Sequence, residues 1–368
     1  MKNQILKLML SFVMALSIFS CQDEGNNDIV TKLPSMLDVV NGDLANYSVL
    51  QKGLVMSNLA GIVSNNGSYT VFAPSNTAFA AYTSVNFPAG ITETVLAGTL
   101  TAAQSSELKR TLMYHIISGA LLASDLPSKG YAKSIAPFAA STSLTLSMFI
   151  NRTNGVEING GNATFGTPAV SNGGAVVTVG DIRASNGIIH KINAVLVLPT
   201  LITQLQANPD LSAFLGALNA DAPTKAFVTA PANNTQMFVP NNAALTAAAT
   251  YLTGKTAAQV ATVIAFHITT GSKYDRNAVA QIQTGQFQND GAATATSYLP
   301  TTAITDAVVT TKAIEVTPST AAQTFKIAKN TLSIFENPTA VPATIKITNV
   351  QTMNGIIHTV SRVLQPVL

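Results

Sequence analysis

The sequence is poor in charge and in the residues that most often build metal or disulfide sites. Charged residues make up 10 % of its 368 residues, and it has one cysteine, four histidines and no tryptophan. Because soluble proteins average about 25 % charged residues, this composition is unusual, and Ala, Thr, Asn and Ser are abundant instead. A single cysteine excludes an internal disulfide and any zinc site that needs several thiolates.

The small positive charge does not indicate a nucleic-acid partner. There are 20 Lys and Arg against 17 Asp and Glu, a net charge of +3, and two of the basic residues are Lys2 and Lys7 at the N-terminus. Without those two the net charge is +1, which leaves no basic footprint for DNA or RNA. A hydrophobic content of 47 % also argues against an intrinsically disordered chain.

Residues 1–20 are predicted to be an export signal. A basic start precedes an apolar run from Leu8 to Phe19, which is shorter than the roughly 20 residues that span a bilayer. The run ends at Ser20-Cys21, which resembles the lipobox of bacterial lipoproteins. The resemblance implies that Cys21 is acylated and anchors the protein, with residues 21–32 as the lipidated start and flexible tether. An ordinary cleaved signal and a free buried cysteine are the alternatives.

Three short motifs occur twice, in the same order, and contain all four histidines. The matching segments are Thr70–Phe79 with Gln236–Leu245, Tyr114-His115 with Phe266-His267, and Asn186–His190 with Asn354–His358, at numbering offsets of 166, 152 and 168 respectively. The order predicts two copies of one unit, residues 33–199 and 200–368, joined at Pro199-Thr200. Since 168 exceeds 152 by 16, repeat two carries extra length between its histidines. We place this insertion around 277–345, in loops that tolerate added residues.

Within a repeat, helices come first and strands follow. Leu108, Leu112 and Ile116 have the spacing of one helix face and predict a helix from Ser106 to Ile117. Thr70–Ala73 is predicted to be a strand ended by Pro74, with Ser75 or Asn76 capping the next helix. Alternation from Ser143 to Ile150 predicts a strand. Because helices and strands are segregated, the sequence predicts an α+β fold.

These motifs resemble the fasciclin domain. Thr70–Phe79 resembles T-V-F-A-P-S/T-N-x-A-F, and Asp181-Ile182 followed by Asn186–His190 resembles the second motif, D-I-x-x-x-N-G-V/I-I/V-H. The resemblance covers about residues 33–368 and implies two tandem domains, each a helical layer packed on a small β-sandwich or wedge. The residues assigned to the structural motif are Thr70, Phe72, Pro74, Asn76, Phe79, Asn186, Gly187, His190, Phe238, Pro240, His267, Asn354, Gly355 and His358.

The resemblance implies an extracellular domain used for adhesion and partner binding. Position by position, the adhesion residues of animal members carry over to Asp181, Ile182, Tyr114 and His115, which become candidate partner contacts. Repeat two has Phe266 in place of the motif tyrosine and Asn349-Val350 in place of Asp-Ile. Whether repeat two retains a binding role that depends on those side chains therefore stays open.

Three functional hypotheses follow. The first is a non-enzymatic adhesion protein, anchored on the outer membrane and exposed on the cell surface, that binds a protein or polysaccharide; a periplasmic location is the alternative. The second is a glycan-binding accessory lipoprotein of a polysaccharide-uptake system. The third is a hydrolase that uses His115 or His190 with Asp125 or Asp181. We expect structural histidines, a turn with positive φ at each Asn-Gly pair, no metal and no cofactor. The partner and the oligomeric state stay open.

Overall fold

The computed structural model describes residues 33–65, 67–138, 145–161, 164–165, 170–171, 173–231, 235–269, 297–300, 313–318, 325–328 and 343–365. The predicted signal, Cys21 and its tether lie outside these ranges, as does most of the predicted insertion around 277–345. No helix within the described ranges is long and apolar enough to cross a membrane. The combination of helices and sheets confirms the α+β class.

The described part of repeat one combines six helices with a closed sheet. The helices are α1 (Met36–Asn41), α2 (Leu44–Met56), α3 (Ala60–Ser64), α4 (Asn76–Ala81), α5 (Glu93–Ala97) and α6 (Ala102–Tyr114). The strands are β1 (Tyr69–Pro74), β2 (Ile116–Ser118), β3 (Lys129–Pro137), β4 (Thr145–Asn151), β5 (Glu157–Ile158), β6 (Thr164–Phe165), β7 (Val170–Ser171), β8 (Ala175–Ala184) and β9 (Gly187–Ile192). Seven strands form a closed sheet in the order β1-β2-β3-β4-β5-β8-β9, and β6 pairs with β7.

Repeat two has the same strand order in an open sheet. Its helices are α7 (Leu201–Ala207), α8 (Ser212–Ala220), α9 (Ala222–Thr229), α10 (Asn242–Ala247), α11 (Ala249–Leu252) and α12 (Ala257–Phe266), with a 3₁₀ turn at Pro209–Leu211. Its strands are β10 (Thr235–Pro240), β11 (Ile268–Thr269), β12 (Ser297–Pro300), β13 (Ala313–Pro318), β14 (Phe325–Ala328), β15 (Ala343–Thr352) and β16 (Gly355–Val360). The sheet runs β11-β10-β16-β15-β14-β13-β12, so β13 and β15 hold the positions of β4 and β8.

The two repeats share strand register as well as order. β1 runs parallel to β9 with Tyr69 opposite Gly187, and β10 runs parallel to β16 with Thr235 opposite Gly355. The β8–β9 hairpin shifts register between Val177 and Val179, and the β15–β16 hairpin does so at the equivalent positions, between Ile345 and Ile347. Bulges at matching positions indicate that the duplicated motifs specify the same hairpin geometry.

Short polar side chains begin most of the helices. Ser35, Ser75 and Thr101 accept a hydrogen bond from the backbone N–H three residues later, and so cap α1, α4 and α6. Thr200, Asn241 and Thr256 cap α7, α10 and α12 in the same way. Such a cap satisfies one of the N–H groups that a helix leaves unpaired at its start. The cap predicted at Ser75 or Asn76 is therefore at Ser75.

The motif aromatics lie in the cores. Phe79 packs in a cluster of helix and strand side chains with Leu50 and Leu112, while Phe72 packs among the strands with Met148 and Ile158. Phe72, Phe79, Phe238 and Phe266 are at most 2 % exposed. Burying each such side chain contributes about 1.5–3 kcal/mol.

The helix predicted from Ser106 to Ile117 was wrong at its end. α6 finishes at Tyr114, and Ile116 and Ile117 pair with Val71 and Thr70 as part of β2. β-branched side chains pack well on a pleated sheet, and Val71 and Thr70 offer a strand edge there. Ile116 thus has the spacing of the helix face because it is buried, but it is buried in a strand.

Repeat two covers one face of β4. The burial pattern of β4 shows five consecutive buried residues from Leu146 to Ile150, instead of the half-buried strand that alternation usually indicates. Ser147 explains the difference, because its Oγ accepts from the Gln351 backbone N–H at 2.9 Å and its carbonyl oxygen accepts from Gln204 Nε2 at 2.9 Å. Residues 34–368 accordingly form one compact unit.

Candidate functional site

The first histidine of each repeat connects the end of a helix to a distant backbone segment. His115 Nδ1 lies 2.7 Å from the Thr111 carbonyl oxygen, and the Leu196 backbone N–H donates to Nε2 at 2.9 Å. His267 makes the same pair of contacts with Val263 (2.8 Å) and Leu364 (2.9 Å). Because Nε2 accepts in both rings, Nδ1 carries the proton and donates. Burial lowers the pKa of His115 and of His267 to about 4, so both are neutral at pH 7.

The second histidine of each repeat stacks on the motif phenylalanine. The rings of His190 and Phe72 lie 5.6 Å apart, and those of His358 and Phe238 lie 5.4 Å apart. His190 Nε2 lies 3.0 Å from the Leu121 carbonyl oxygen, and the Asp181 backbone N–H donates to Nδ1 at 3.2 Å. Burial lowers the pKa of His190, while the Leu121 hydrogen bond and the Asp181 charge act in the opposite direction.

Backbone groups already use the nitrogens that a hydrolase or metal site would need. Both ring nitrogens of His115 and of His190 have backbone partners, and the two rings bond to different segments. The acids of the hydrolase hypothesis also bond to backbone: Asp125 accepts from the Leu122 N–H and Asp181 from the Ala123 N–H. Among the described residues, no three His, Cys, Asp or Glu side chains are grouped to hold a metal ion. The arrangement therefore supports a structural role for the histidines.

Thr70 connects the first motif to the loop that holds His190. Its Oγ1 donates to the Gly119 carbonyl at 2.7 Å and accepts from the Leu121 N–H at 2.8 Å. Leu121 in turn presents its carbonyl to His190. Sequence reasoning missed the loop at Gly119–Leu121, because it lies outside the three motifs. In repeat two, Gln236 stands in place of Thr70 and contacts His358 directly, with Nε2 to Nε2 at 3.0 Å.

The Asn-Gly pairs join each final hairpin to the first helix of its repeat. Asn186 Oδ1 accepts from the Met36 N–H at 2.8 Å, and Asn354 Oδ1 accepts from the Leu201 N–H at 3.0 Å. The glycines are needed for close approach, since a Cβ at Gly187 or Gly355 would overlap the carbonyl oxygen of Tyr69 or Thr235. The predicted positive φ is present at Gly187, at 154°, but not at Gly355. Backbone proximity across the parallel strand pair is therefore the shared reason for glycine.

The remaining motif residues also serve the fold. Asn76 Oδ1 accepts from the Val49 N–H at 3.0 Å, and its Nδ2 donates to the Ala45 carbonyl at 3.2 Å, so it connects α4 to α2. Pro74 and Pro240 are the last residues of β1 and β10, opposite Ile192 and Val360.

The four candidate contact residues differ in exposure. Tyr114 and His115 are 0 % and 1 % exposed, and the Tyr114 hydroxyl donates to the Ser147 carbonyl at 2.8 Å. Their predicted role as direct contacts does not fit this burial, because neither side chain reaches the surface. Ile182 is half-buried and packs against the core. Asp181, in contrast, has a side chain that is 50 % exposed.

Asp181 combines exposure with a fixed position. Its backbone has φ = 61°, a left-handed conformation that is uncommon outside glycine. Two contacts hold it: its own N–H donates to His190 Nδ1 at 3.2 Å, and its Oδ1 accepts from the Ala123 N–H at 2.7 Å. Asp181 Oδ1 also lies 4.0 Å from His190 Nδ1. The buried imidazole thus holds the backbone of Asp181, and the loop amide holds its carboxylate.

The tyrosines whose side chains the structure describes do not form an exposed platform for a sugar. Tyr47, Tyr82 and Tyr114 are buried, and Tyr69, Tyr131 and Tyr251 are half-buried. A cavity of about 330 Å³ lies beside Tyr82 and is lined by Ala78, Val195 and Val197. Thr83 and Asn193 also line this cavity, so its walls are mixed, and the Tyr82 hydroxyl donates to Glu107 at 2.8 Å.

Comparisons with known proteins agree with the motif resemblance in repeat one. Residues 45–199 match the family model described as the fasciclin domain. The chain is 29 % identical over 168 residues to the uncharacterized protein sll1735 of Synechocystis sp., covering 45 % of this chain and 99 % of that protein. It is also 34 % identical over 113 residues to Stabilin-2 of Mus musculus, covering 28 % of this chain and 4 % of that protein.

Among solved structures, the chain is similar to a FAS1 domain pair from the insect cell adhesion molecule Fasciclin I. The TM-score is 0.46 and the sequence identity is 16 %, with 91 % of this chain and 97 % of that chain covered. The match to the fasciclin-domain model therefore applies to residues 45–199, which make up most of repeat one.

Proposed function

We propose that this protein is a non-enzymatic adhesion or binding protein that contacts matrix, cell-surface or envelope partners through two tandem fasciclin-like repeats. The match of residues 45–199 to the fasciclin domain supports the binding role, because that domain is linked to adhesion. The histidines support a non-enzymatic role, because backbone groups use both ring nitrogens of His115 and of His190.

The position of Asp181 carries this proposal. Its carboxylate is half exposed and accepts from the Ala123 N–H, while its left-handed backbone donates to His190. A side chain held in one position loses little conformational entropy on binding. A partner with a cationic or hydrogen-bond-donating group therefore has a preorganised acceptor at Asp181.

Asp181→Asn tests this contact. Asparagine keeps an oxygen for the Ala123 N–H and removes the charge, so the fold is expected to survive while binding to purified envelope or matrix material weakens about tenfold or more. Asp221→Asn is the matched control, because Asp221 precedes α9 without making a side-chain cap. Equal binding by the two variants would show that Asp181 does not contact the partner. If the unmodified protein does not bind this material, the proposed adhesion function is wrong.

The proposed location is the outer membrane, with acylated Cys21 as the anchor and the repeats facing the exterior. The lipobox-like Ser20-Cys21 supports this part of the proposal. Cys21→Ser should release the protein from membranes and abolish labelling by a fatty-acid analogue. Continued membrane retention with labelling would show that the anchor lies elsewhere. Protease digestion of intact cells tests surface exposure against the periplasmic alternative.

The glycan-binding alternative makes a different prediction. Equilibrium binding to a panel of polysaccharides would give saturation with one glycan class, and Tyr69→Ala or Tyr251→Ala would abolish it. The partial burial of these two tyrosines favours the adhesion proposal.

A further inference from the structure

Asp181, His190 and the 119–125 loop form a closed ring of hydrogen bonds. His190 Nε2 lies 3.0 Å from the Leu121 carbonyl oxygen, and the Asp181 backbone N–H donates to His190 Nδ1 at 3.2 Å. The ring closes through Ala123, whose backbone N–H donates to Asp181 Oδ1 at 2.7 Å. A buried imidazole is therefore connected through backbone groups to a carboxylate that is half exposed.

Only one protonation state of His190 satisfies this ring. The Leu121 carbonyl accepts, so Nε2 must carry a proton, whereas the Asp181 backbone N–H donates, so Nδ1 must keep its lone pair. An imidazolium has a proton on both nitrogens, which would set two donors against each other across the 3.2 Å contact at Nδ1. Protonation of His190 therefore breaks its bond to the Asp181 backbone.

The surroundings of the ring determine which group moves after protonation. The imidazole has little room, because it stacks on Phe72 and a Cβ at Gly180 would already lie 3.3 Å from Nδ1. Asp181 Oδ1 lies 4.0 Å from Nδ1 and attracts a positive imidazolium. Without the bond from its N–H, Asp181 also loses one of the two contacts that hold its φ at 61°, a conformation that is unfavourable for residues other than glycine. We expect the carboxylate to turn inward.

Asp181 is the charge that acts on the His190 ring. The charged groups on segments that pack around β9 include Asp38 in α1, Asp125 in the 119–125 loop, and Asp181 and Arg183 in β8, while β1 from Tyr69 to Pro74 has none. Lys191 points to the other side of β9, where its Nζ lies 3.4 Å from Asp43 Oδ2. Burial lowers the pKa of His190 below its ordinary 6.5, and the Leu121 hydrogen bond and the Asp181 charge oppose this shift. His190 is therefore neutral at pH 7.

We propose that His190 is the positioning residue of the Asp181 contact, which it holds in place when neutral and withdraws when protonated. The inference rests on the proposed function, because Asp181 is the contact proposed there. Binding through Asp181 is then available at neutral pH and lost in acid. Repeat two has Asn349 in the place of Asp181, so this response belongs to repeat one.

Nitrogen-15 NMR of the purified full chain in detergent tests the switch without any partner. In a titration from about pH 8 to about pH 4.5, the His190 ring nitrogens and the Asp181 backbone amide should shift with one shared midpoint below 6.5. The Asp221 amide is the control, because it donates to the Leu218 carbonyl in repeat two. Separate midpoints for His190 and Asp181, or a ring that stays neutral throughout, would overturn the proposal.

Asp181→Asn separates the response of the imidazole from that of the carboxylate. The variant keeps the backbone N–H that donates to His190, so the amide at position 181 should still shift with the His190 midpoint. That midpoint should fall, because the Asp181 charge raises the His190 pKa. A response that disappears with the carboxylate would mean that Asp181 titrates on its own, and the proposal would be wrong.

Binding to purified envelope material connects the switch to adhesion. Below the His190 midpoint the apparent dissociation constant should rise by up to about tenfold per pH unit, the limit for one linked proton. His190→Asn places an acceptor that does not titrate near the Nδ1 position, so its binding should depend less on pH, with circular dichroism to verify its fold. Asp221→Asn is the matched control and should keep the wild-type pH dependence.

The two experiments distinguish the switch from the adhesion function. Wild-type binding that is constant across the His190 midpoint, or a folded His190→Asn variant with the wild-type pH dependence, would overturn the role of His190. If the protein binds no envelope material at any pH while the NMR midpoints coincide, the proposed function is wrong and the coupling of His190 to Asp181 stands.

Discussion

At the scale of single residues, the side chains of the duplicated motifs make specific structural contacts, so few substitutions fit there. Gly187 and Gly355 let two parallel strands approach, and Asn186 and Asn354 join each hairpin to a helix. The first histidine of each repeat connects segments that are far apart in sequence, since Leu196 lies 81 residues after His115. A motif of this kind identifies a fold more directly than a ligand site.

Gly187→Ala should be strongly destabilising. The added Cβ would overlap the Tyr69 carbonyl oxygen at a φ of 154°, so the parallel pair of β1 and β9 must separate, and we expect a loss on the order of 3 kcal/mol in the free energy of unfolding. Gly216→Ala is the control, because its Cβ meets nothing within 4 Å inside α8, and it should be neutral or stabilise by up to about 1 kcal/mol. Urea denaturation measures the free energy of unfolding of both variants. Similar losses of stability in the two variants would contradict the explanation by close backbone approach.

The buried histidines predict acid sensitivity. His115 and His267 have a pKa of about 4 in the folded protein, against 6.5 for an unperturbed imidazole. Between these values the unfolded chain binds protons that the folded chain does not, so the free energy of unfolding should fall as the pH drops from about 6.5 to about 4. Each histidine contributes at most about 1.4 kcal/mol per pH unit. His115→Gln should reduce this slope in urea denaturation across the range, and an unchanged slope would contradict the assignment.

At the scale of elements, caps and strand propensity explain where helices begin and strands continue. α6 begins at a capping box formed by Thr101 and Gln104, and its end is marked by His115 and the β-branched pair Ile116-Ile117. The apolar periodicity predicts the helix but not the residue at which it ends, because Ile116 is buried whether it is helical or in a strand. Pairing with the edge of β1 places Ile116 in a strand.

Thr70→Val should weaken the link between β1 and the loop that holds His190. Thr70 is fully buried and its Oγ1 bonds to both Gly119 and Leu121. Valine has a similar shape but leaves those two backbone groups without this partner, which costs about 1–3 kcal/mol. Thr77→Val is the control, because Thr77 is exposed at the start of α4. Thermal unfolding distinguishes the two variants. Equal melting temperatures would show that the Thr70 hydroxyl does not stabilise the link between β1 and the loop.

At the scale of the whole molecule, a buried polar network joins the two repeats. Tyr114, Asn159 and Gln204 surround the Ser147 carbonyl: the Tyr114 hydroxyl and Gln204 Nε2 donate to it, and Asn159 Nδ2 donates to the Tyr114 hydroxyl at 2.9 Å. The tyrosine of the Tyr-His motif is therefore an interface residue inside the chain. An exposed ion pair between Lys129 and Asp210 at 2.8 Å lies at the same interface.

Gln204→Ala should therefore destabilise both repeats more than Lys129→Ala does. Removing the Gln204 amide leaves buried polar groups with fewer partners and should cost about 1–3 kcal/mol. The Lys129–Asp210 pair is about half exposed, with side chains that are 44 % and 50 % accessible, so its loss should cost less than about 1 kcal/mol. Hydrogen exchange of β4 and β15 amides in the two variants measures the difference, and local protection loss in only one repeat would contradict the coupling.

The sequence by itself determined the duplication, the fold class, the motif cores and the internal role of the histidines. These follow from local spacing and from residue types, such as Phe, Gly and Asn, whose packing or backbone requirements act close to their own position. Tertiary structure alone decided which candidate contacts are accessible. Tyr114 and His115 are covered by β4, Leu196 and repeat two, whereas Asp181 stays at the surface. Periodicity records only that a face is apolar, and exposure depends on segments that are distant in the sequence.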